Sequence, residues 1–218
     1  MTKILFDFNG TLFFDSRFHL EAWAKIYREL DKDPAAMPDS RFFLGARNDD
    51  IIRSIVPKVT PEECARLSGH KEALYRETCR EHPDELHLAS GAEALLQRLK
   101  TDGVPFTLAS ASIKANVDFY FETFRLDRWF DREICVYDDG TYADKGEMHV
   151  EAARRLGAEL SECVVVEDSI SAILHAKENG AGRIVAIGEE NRHSELIRAG
   201  ADHCIRDFTE FCCEWLTN

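Results

Sequence analysis

The chain has 218 residues, 44% hydrophobic and 31% charged, a composition that excludes intrinsic disorder and collagen-like repeats. That length buries a sizeable core in one or two domains without disulfide or metal staples. Its 27 Lys and Arg stand against 40 Asp and Glu, a formal net charge of -13. Such a surface repels phosphate backbones, so no nucleic-acid partner is expected, whereas a divalent cation is favoured.

The strand and helix signals follow in chain order. Lys3 to Asp7 is nearly all apolar after the lysine and reads as a strand buried on both faces. Phe18, Ala22, Trp23, Ile26, Tyr27 and Leu30 recur at helical spacing, and Pro34 and Pro38 break that helix. A helix is expected around Asp49 to Ile55. Another should run from the capping box Thr60-Pro61-Glu62-Glu63 to about Arg80. Ser90-Gly91-Ala92-Glu93 reads as a second capping box, opening a helix with Leu95, Leu96 and Leu99 on its apolar face. Val104 to Ala109 reads as a strand, followed by a helix with Val117, Phe121 and Phe124 inward. Then come a short strand at Glu133 to Tyr137, a helix at Asp144 to Leu156 and a strand starting at Cys163. A helix at Ile170 to Glu178 stops at Asn179-Gly180. A strand at Arg183 to Ile187, a helix from Ser194, a short strand at His203 to Ile205 and a last helix capped by Asp207 and Glu210 complete the chain.

Strands alternating with helices imply an α/β fold with a parallel, Rossmann-like sheet and right-handed crossovers. The helical block does not fit that alternation. The expected organisation is an α/β core from residues 1–14 and 89–218, interrupted after its first strand by an α-helical cap at 15–88. No run approaches a membrane span, and residues 1–7 lack the apolar stretch of a signal peptide, so no membrane association is expected. The seven cysteines (Cys64, Cys79, Cys135, Cys163, Cys204, Cys212 and Cys213) form no C-x-x-C pair and read as reduced thiols of a cytoplasmic protein. The expected oligomeric state is a monomer or weak homodimer.

Ligands of open parallel sheets bind beyond the carboxyl ends of the strands. Those ends carry Asp7 and Asn9-Gly10-Thr11, then Ser110 and Ser112, then Lys145, then Glu167 and Asp168. No Walker loop or dinucleotide fingerprint is present. Three carboxylates suit a hard cation such as Mg2+. Asp7 could bind it through one oxygen and attack phosphorus with the other, forming an aspartyl phosphate. Lys145 and Ser110 would hold the phosphoryl oxygens. Taken singly, each residue also reads as a cap, a turn or a solvated charge; the set, in order, favours the catalytic reading.

Phe6-Asp7-Phe8-Asn9-Gly10-Thr11, Leu108-Ala109-Ser110-Ala111-Ser112, Lys145 and Val166-Glu167-Asp168-Ser169 resemble, in order, the four motifs of the haloacid dehalogenase-like superfamily. Leu-Ala-Ser-Ala-Ser, Glu-Asp-Ser, and His19 with Trp23 make the beta-phosphoglucomutase and phosphoglycolate phosphatase-like branch the most similar. The resemblance implies Asp7 as nucleophile. It implies Mg2+ held by Asp7, the backbone carbonyl of Asn9 and Asp168, with Glu167 in support, and Ser110 and Lys145 on the phosphoryl group. It puts Gly10, Thr11, Ala111 and Ser112 against the substrate, a small phosphorylated metabolite. In the cap, Gly45-Ala46-Arg47-Asn48 matches the substrate-specificity loop, with His19, Lys71 and Tyr75 as further candidates. The related mutases carry a phosphate-binding Arg at the place aligned with Asn48; here Arg47 stands one position earlier, which argues against a sugar bisphosphate.

The family's phosphatases and mutases have an acid–base Asp two residues after the nucleophile; here it is Asn9. An amide shuttles no proton, and general acid–base catalysis is typically worth about 10²–10⁴-fold. Three explanations stand: an engineered replacement, a natural Asn9 serving a leaving group that needs no proton, or loss of turnover. The resulting expectation is a Mg2+-dependent phosphohydrolase or phosphomutase-like phosphotransferase. The alternative is a catalytically silent phosphate-binding protein of the same fold. No Lys lies between Arg41 and Arg53 to form the imine of the phosphonate-cleaving branch, and a dehalogenase would not need Glu167 and Asp168.

Overall fold

The protein, a computed structural model, is described here over residues 2–38, 42 and 47–216. It divides into two compact units, one made of Met1–Phe14 with His87–Asn218 and the other of Asp15–Leu86. No described helix is long and apolar enough to cross a membrane.

The first unit is a six-stranded parallel sheet: β1 (Lys3–Phe6), β2 (Phe106–Ile113), β3 (Val136–Asp138), β4 (Cys163–Glu167), β5 (Arg183–Ile187) and β6 (His203–Ile205), in the order β3-β2-β1-β4-β5-β6. The order reverses at β1, which lies between β2 and β4 and whose Ile4, Leu5 and Phe6 are fully buried. That explains the apolar run: a central strand has a core on each face. On one side Leu5 joins Val165, Ile173 and Met148. Phe6 meets the rings of Phe106, Phe130 and Phe208 edge-on at 6.0 to 6.3 Å, an arrangement suited to aromatic quadrupoles.

Register decides which side chains meet. Phe6 stands opposite both Leu108 and Val166, so the residues one or two further on, Asp7, Ser110 and Glu167, reach the same carboxyl edge. The sheet's helices start on side-chain caps where the sequence supplies them. Asp144 accepts from the N–H groups of Gly146 and Glu147 and opens α6 (Lys145–Arg155), while Ser169 accepts from Ala172 N and opens α7 (Ile170–Glu178).

Several expected elements differ: the strand read at Val104 to Ala109 spans Phe106–Ile113, and the one read at Glu133 to Tyr137 spans Val136–Asp138. Ser90 does not cap α4 (Ala92–Thr101). The N-cap is Gly91, at φ +79°, and the Ser90 carbonyl accepts from Phe208 N at 2.9 Å. The last helix is replaced by 3-10 turns at Phe208–Glu210 and Cys213–Leu216. Asp207 caps only the turn at Thr209, and Glu210 is spent on Arg206, so no second turn is nucleated. α5 (Lys114–Phe124) and α8 (His193–Ala199) complete the unit.

The second unit packs α1 (Ser16–Glu29), α2 (Asn48–Ile55) and α3 (Pro61–Glu81). Thr60 accepts from Glu63 N at 3.2 Å, with Pro61 in the first turn, as the capping signal requires. Its core is Phe18, Trp23, Ile26, Ile51, Ile52 and Tyr75, each no more than 1% exposed.

Candidate active site

Asp7 directly follows β1, and its backbone N–H still pairs with Val166 O at 3.0 Å. The chain then turns sharply through Gly10, at φ +71°. A Cβ there would stand 2.3 Å from Asp168 Oδ2, so only glycine lets the loop pass this close to the carboxylate. Asp7, Glu167 and Asp168 each offer an oxygen, all within 4.8 Å of one another. Lys145, at the start of α6, bonds Asp7 Oδ1 and lies 3.1 Å from Glu167 Oε1. Glu167 is gripped further by His149 Nε2, which donates to Oε1 at 3.2 Å, and by the Asp168 N–H on Oε2 at 3.3 Å.

Charge is crowded here, and the ionisation equilibria show it. Burial pushes the Asp7 carboxyl up to about 7, with Lys145 pulling it down and Glu167 pushing it further up. Asp168 is raised well above the ordinary carboxylate range by burial and by the charges of Asp7 and Glu167. Burial works against a charged Lys145, but Asp7 and Glu167 outweigh it and hold the ammonium above the usual lysine range. Glu167 is lowered despite its burial, because Lys145 and His149 favour its ionised form. Lys145 pairs with two of the three carboxylates and Arg192 bonds only the Asp168 backbone carbonyl, at 3.2 Å, which leaves the oxygen donor set that a hard divalent ion needs. A second acidic cluster, Glu21, Glu81 and His82 on the helical unit, is more exposed, and Lys25 already occupies Glu81 at 2.8 Å.

The remaining candidates divide between the units. Ser110, 1% exposed, accepts from Ser112 N at 3.2 Å. Ser112 Oγ donates to Asn9 Oδ1 at 2.6 Å, and Asn9 Nδ2 donates to the Tyr120 hydroxyl at 2.7 Å. Ala111 is exposed, and Thr11 is fully buried with its hydroxyl unpaired. In the helical unit His19, Lys71 and Tyr75 do come together. His19 Nδ1 lies 2.7 Å from Lys71 Nζ and its ring stacks on Tyr75 at 4.0 Å, while the Tyr75 hydroxyl donates to Asp15. Asn48 Nδ2 donates to Glu72 and Ser68, and Arg47 is exposed ahead of α2. Gly45 lies outside the described residues.

Sequence reasoning missed Tyr120, His149 and Glu72. Tyr120 sits in a phenylalanine-rich helix as the one buried ring with a hydroxyl to satisfy, which is a readable signal. His149 lies one turn after Lys145, on the same face of α6. Glu72 had no signal beyond its adjacency to Lys71.

The acidic cluster and the buried Lys145 lie at the switch point of a doubly wound sheet, the place where such folds bind their ligands. The family model for haloacid dehalogenase-like hydrolases matches residues 2–180, and the chain belongs to that family. A crystal structure of a family IA, variant 3 hydrolase from Entamoeba histolytica superposes with a TM-score of 0.91, is 31% identical, and covers 99% of this chain and 97% of its own. Validoxylamine A 7'-phosphate phosphatase of Streptomyces hygroscopicus subsp. limoneus is 27% identical over 94% of this chain and 93% of its own length. The plasmid protein CbbY of Cupriavidus necator is 25% identical over 85% of this chain and 78% of its own. The expected class, a haloacid dehalogenase-like phosphatase or phosphotransferase, is thus the class of this enzyme.

Proposed function

We propose that the chain transfers the phosphoryl group of a small phosphorylated metabolite to Asp7 in a Mg2+-dependent reaction, and passes it to water or to a second hydroxyl. The observation that carries this is the cluster of Asp7, Glu167 and Asp168 around Lys145 at the carboxyl edge of β1 and β4. Asp7, Asp168 and the Asn9 carbonyl would hold the ion, with Glu167 in support; when bound, the ion neutralises charge on the phosphoryl oxygens. Lys145 orients Asp7 for attack and then offsets the charge of the phosphoryl group, with Ser110 donating to it. Small substrates accord with relatives named as phosphatases of validoxylamine A 7'-phosphate and of phosphorylated carbohydrates. In the helical unit, His19, Arg47, Asn48 and Lys71 are the residues we assign to substrate choice. Seven free thiols suit a reducing, cytoplasmic setting.

The test is hydrolysis of acetyl phosphate and p-nitrophenyl phosphate with Mg2+. Asp7→Asn should remove turnover by about 10⁴-fold or more, the scale of losing a nucleophile. Equal rates for Asp7→Asn and the native chain would overturn the reading. Binding of phosphate ligands with no turnover would favour the silent, ligand-binding alternative that Asn9 motivates.

A further inference from the structure

We infer that position 9 is built to hold an amide, and that the site selects phosphoryl donors whose leaving group departs as a stable anion, acyl phosphates and phosphoanhydrides, over alkyl phosphate esters. This rests on the aspartyl-phosphate reading above and deepens it.

The carrying observation is a closed ring of three hydrogen bonds. Asn9 Nδ2 donates to the Tyr120 hydroxyl at 2.7 Å, Ser112 Oγ donates to Asn9 Oδ1 at 2.6 Å, and the two hydroxyls lie 3.2 Å apart. With the Ser112 proton on Asn9, the hydrogen between the hydroxyls is that of Tyr120, so each member gives one and takes one. Turning the amide over reverses the sense of the ring and still closes it. An ionised carboxylate has two acceptors and no donor. Both hydroxyls would point into it, leaving the 3.2 Å contact between them without a hydrogen, and a protonated carboxyl would close the ring only by giving its proton to a hydroxyl rather than to a leaving oxygen. The frame is fixed: Tyr120 is 1% exposed and stacks on Phe8 at 4.2 Å, and the Ser112 N–H is tied to Ser110 Oγ.

The other titratable side chains that the strand ends bring to Asp7 are already committed. Lys145 is bonded to Asp7 and Glu167, Glu167 and Asp168 belong to the cation cluster, and His149 is 1% exposed behind Glu167. We assign none of them the role of proton donor to a leaving oxygen. In the transfer step an Asp7 oxygen forms a bond to phosphorus, and the bond from phosphorus to the leaving oxygen breaks with its electron pair. An acyl phosphate thereby releases a carboxylate, and an anhydride releases a phosphate, with no proton consumed. Water then attacks the phosphorus, the Asp7 carboxylate is released, and both protons of the water leave with inorganic phosphate as H₂PO₄⁻.

The experiment measures kcat/KM on acetyl phosphate, a graded series of aryl phosphates and an alkyl phosphate, for the native chain, Asp7→Asn, Asn9→Asp and Tyr120→Phe. The native chain should slow steeply as the leaving group becomes more basic. Asn9→Asp should raise the ratio of alkyl phosphate to acetyl phosphate kcat/KM by about 10²-fold, the scale of one general acid, and flatten the series. Tyr120→Phe should leave the native slope steep. A shallow native slope, or one that steepens in Tyr120→Phe and so makes that hydroxyl the proton donor, overturns the inference; so do equal Asn9→Asp gains on alkyl and acyl donors. The native slope decides the matter even if Asn9→Asp fails to fold. A shallow slope with turnover lost in Asp7→Asn sinks only this inference, whereas full turnover in Asp7→Asn sinks the reading beneath it.

Discussion

Gly10 shows how one residue couples backbone to charge. Its φ of +71° brings the loop after β1 so near β4 that an added Cβ would sit 2.3 Å from Asp168 Oδ2 and 2.6 Å from its carboxyl carbon. Gly10→Ala therefore faces two penalties. The left-handed backbone costs roughly 1–2 kcal/mol for a residue with a Cβ, and the Asp168 carboxylate must swing away. Stability should fall by about that amount in a denaturant titration, and the Mg2+ concentration for half-maximal turnover should rise at least tenfold. An unchanged Mg2+ dependence would mean that Asp168 is not a ligand. The same scale explains what was legible. Asp7, Lys145, Glu167 and Asp168 are readable because each follows or precedes a strand or helix whose boundary the sequence marks. Tyr120 is harder, because a tyrosine among Phe119, Phe121 and Phe124 satisfies an apolar pattern as well as a phenylalanine does, and only the need to pair its hydroxyl sets it apart.

At the scale of elements, the helical unit is held by a polar network inside an apolar core. Glu72 is 7% exposed, and it accepts from Lys71 Nζ at 2.8 Å and Asn48 Nδ2 at 2.7 Å, tying α2 to α3. Burial alone would raise its carboxyl, but Lys71 and His19 outweigh burial and bring it down to about 2. A carboxyl that binds its proton more weakly folded than unfolded contributes stability above its unfolded pKa of 4.5 and loses it as pH falls toward 2. The contribution is on the order of 3 kcal/mol. Glu72→Gln should be clearly less stable than the native chain at pH 7, with the gap closing between pH 4.5 and 2 in thermal melts followed by circular dichroism; a gap independent of pH would contradict the pairing. Elements were legible where a cap or a proline punctuates them, as at Thr60–Pro61. They were misread where a long-range contact decides. β2 runs on to Ile113 because Ser110 and Ile113 still pair with Tyr137 and Asp138 across a bulge, and Ser90 gives up its capping role because the turn at Phe208 occupies its carbonyl.

At the scale of the molecule, the interruption of strand–helix alternation after β1 marked an inserted helical segment, and the structure gathers Asp15–Leu86 into a unit of its own. The acidic surplus is not spread evenly in its consequences. Charges on exposed side chains are screened by water and salt, but Asp7, Glu167 and Asp168 concentrate theirs in a site with Lys145 as close counter-charge. The α/β unit therefore carries repulsion that a bound cation would relieve, and linkage turns that relief into thermal stability. A ligand at a hundred times its Kd adds about 2.7 kcal/mol to the unit that binds it, which for a domain of this size is a rise of roughly 5–10 °C in Tm. Calorimetry with Mg2+ should show that rise, while KCl at matched ionic strength should not, because screening is not coordination. Where the two units melt as separate transitions, only that of the α/β unit should move. Asp168→Asn supplies the opposing sign: it removes one of the repelling charges, so the metal-free protein should melt higher than the native chain while its Mg2+-induced rise shrinks to a small fraction. A native-sized Mg2+ shift in Asp168→Asn would show that the stabilising ion sits elsewhere. A lower metal-free Tm in that variant would show that the three carboxylates are not the destabilising charge they are argued to be.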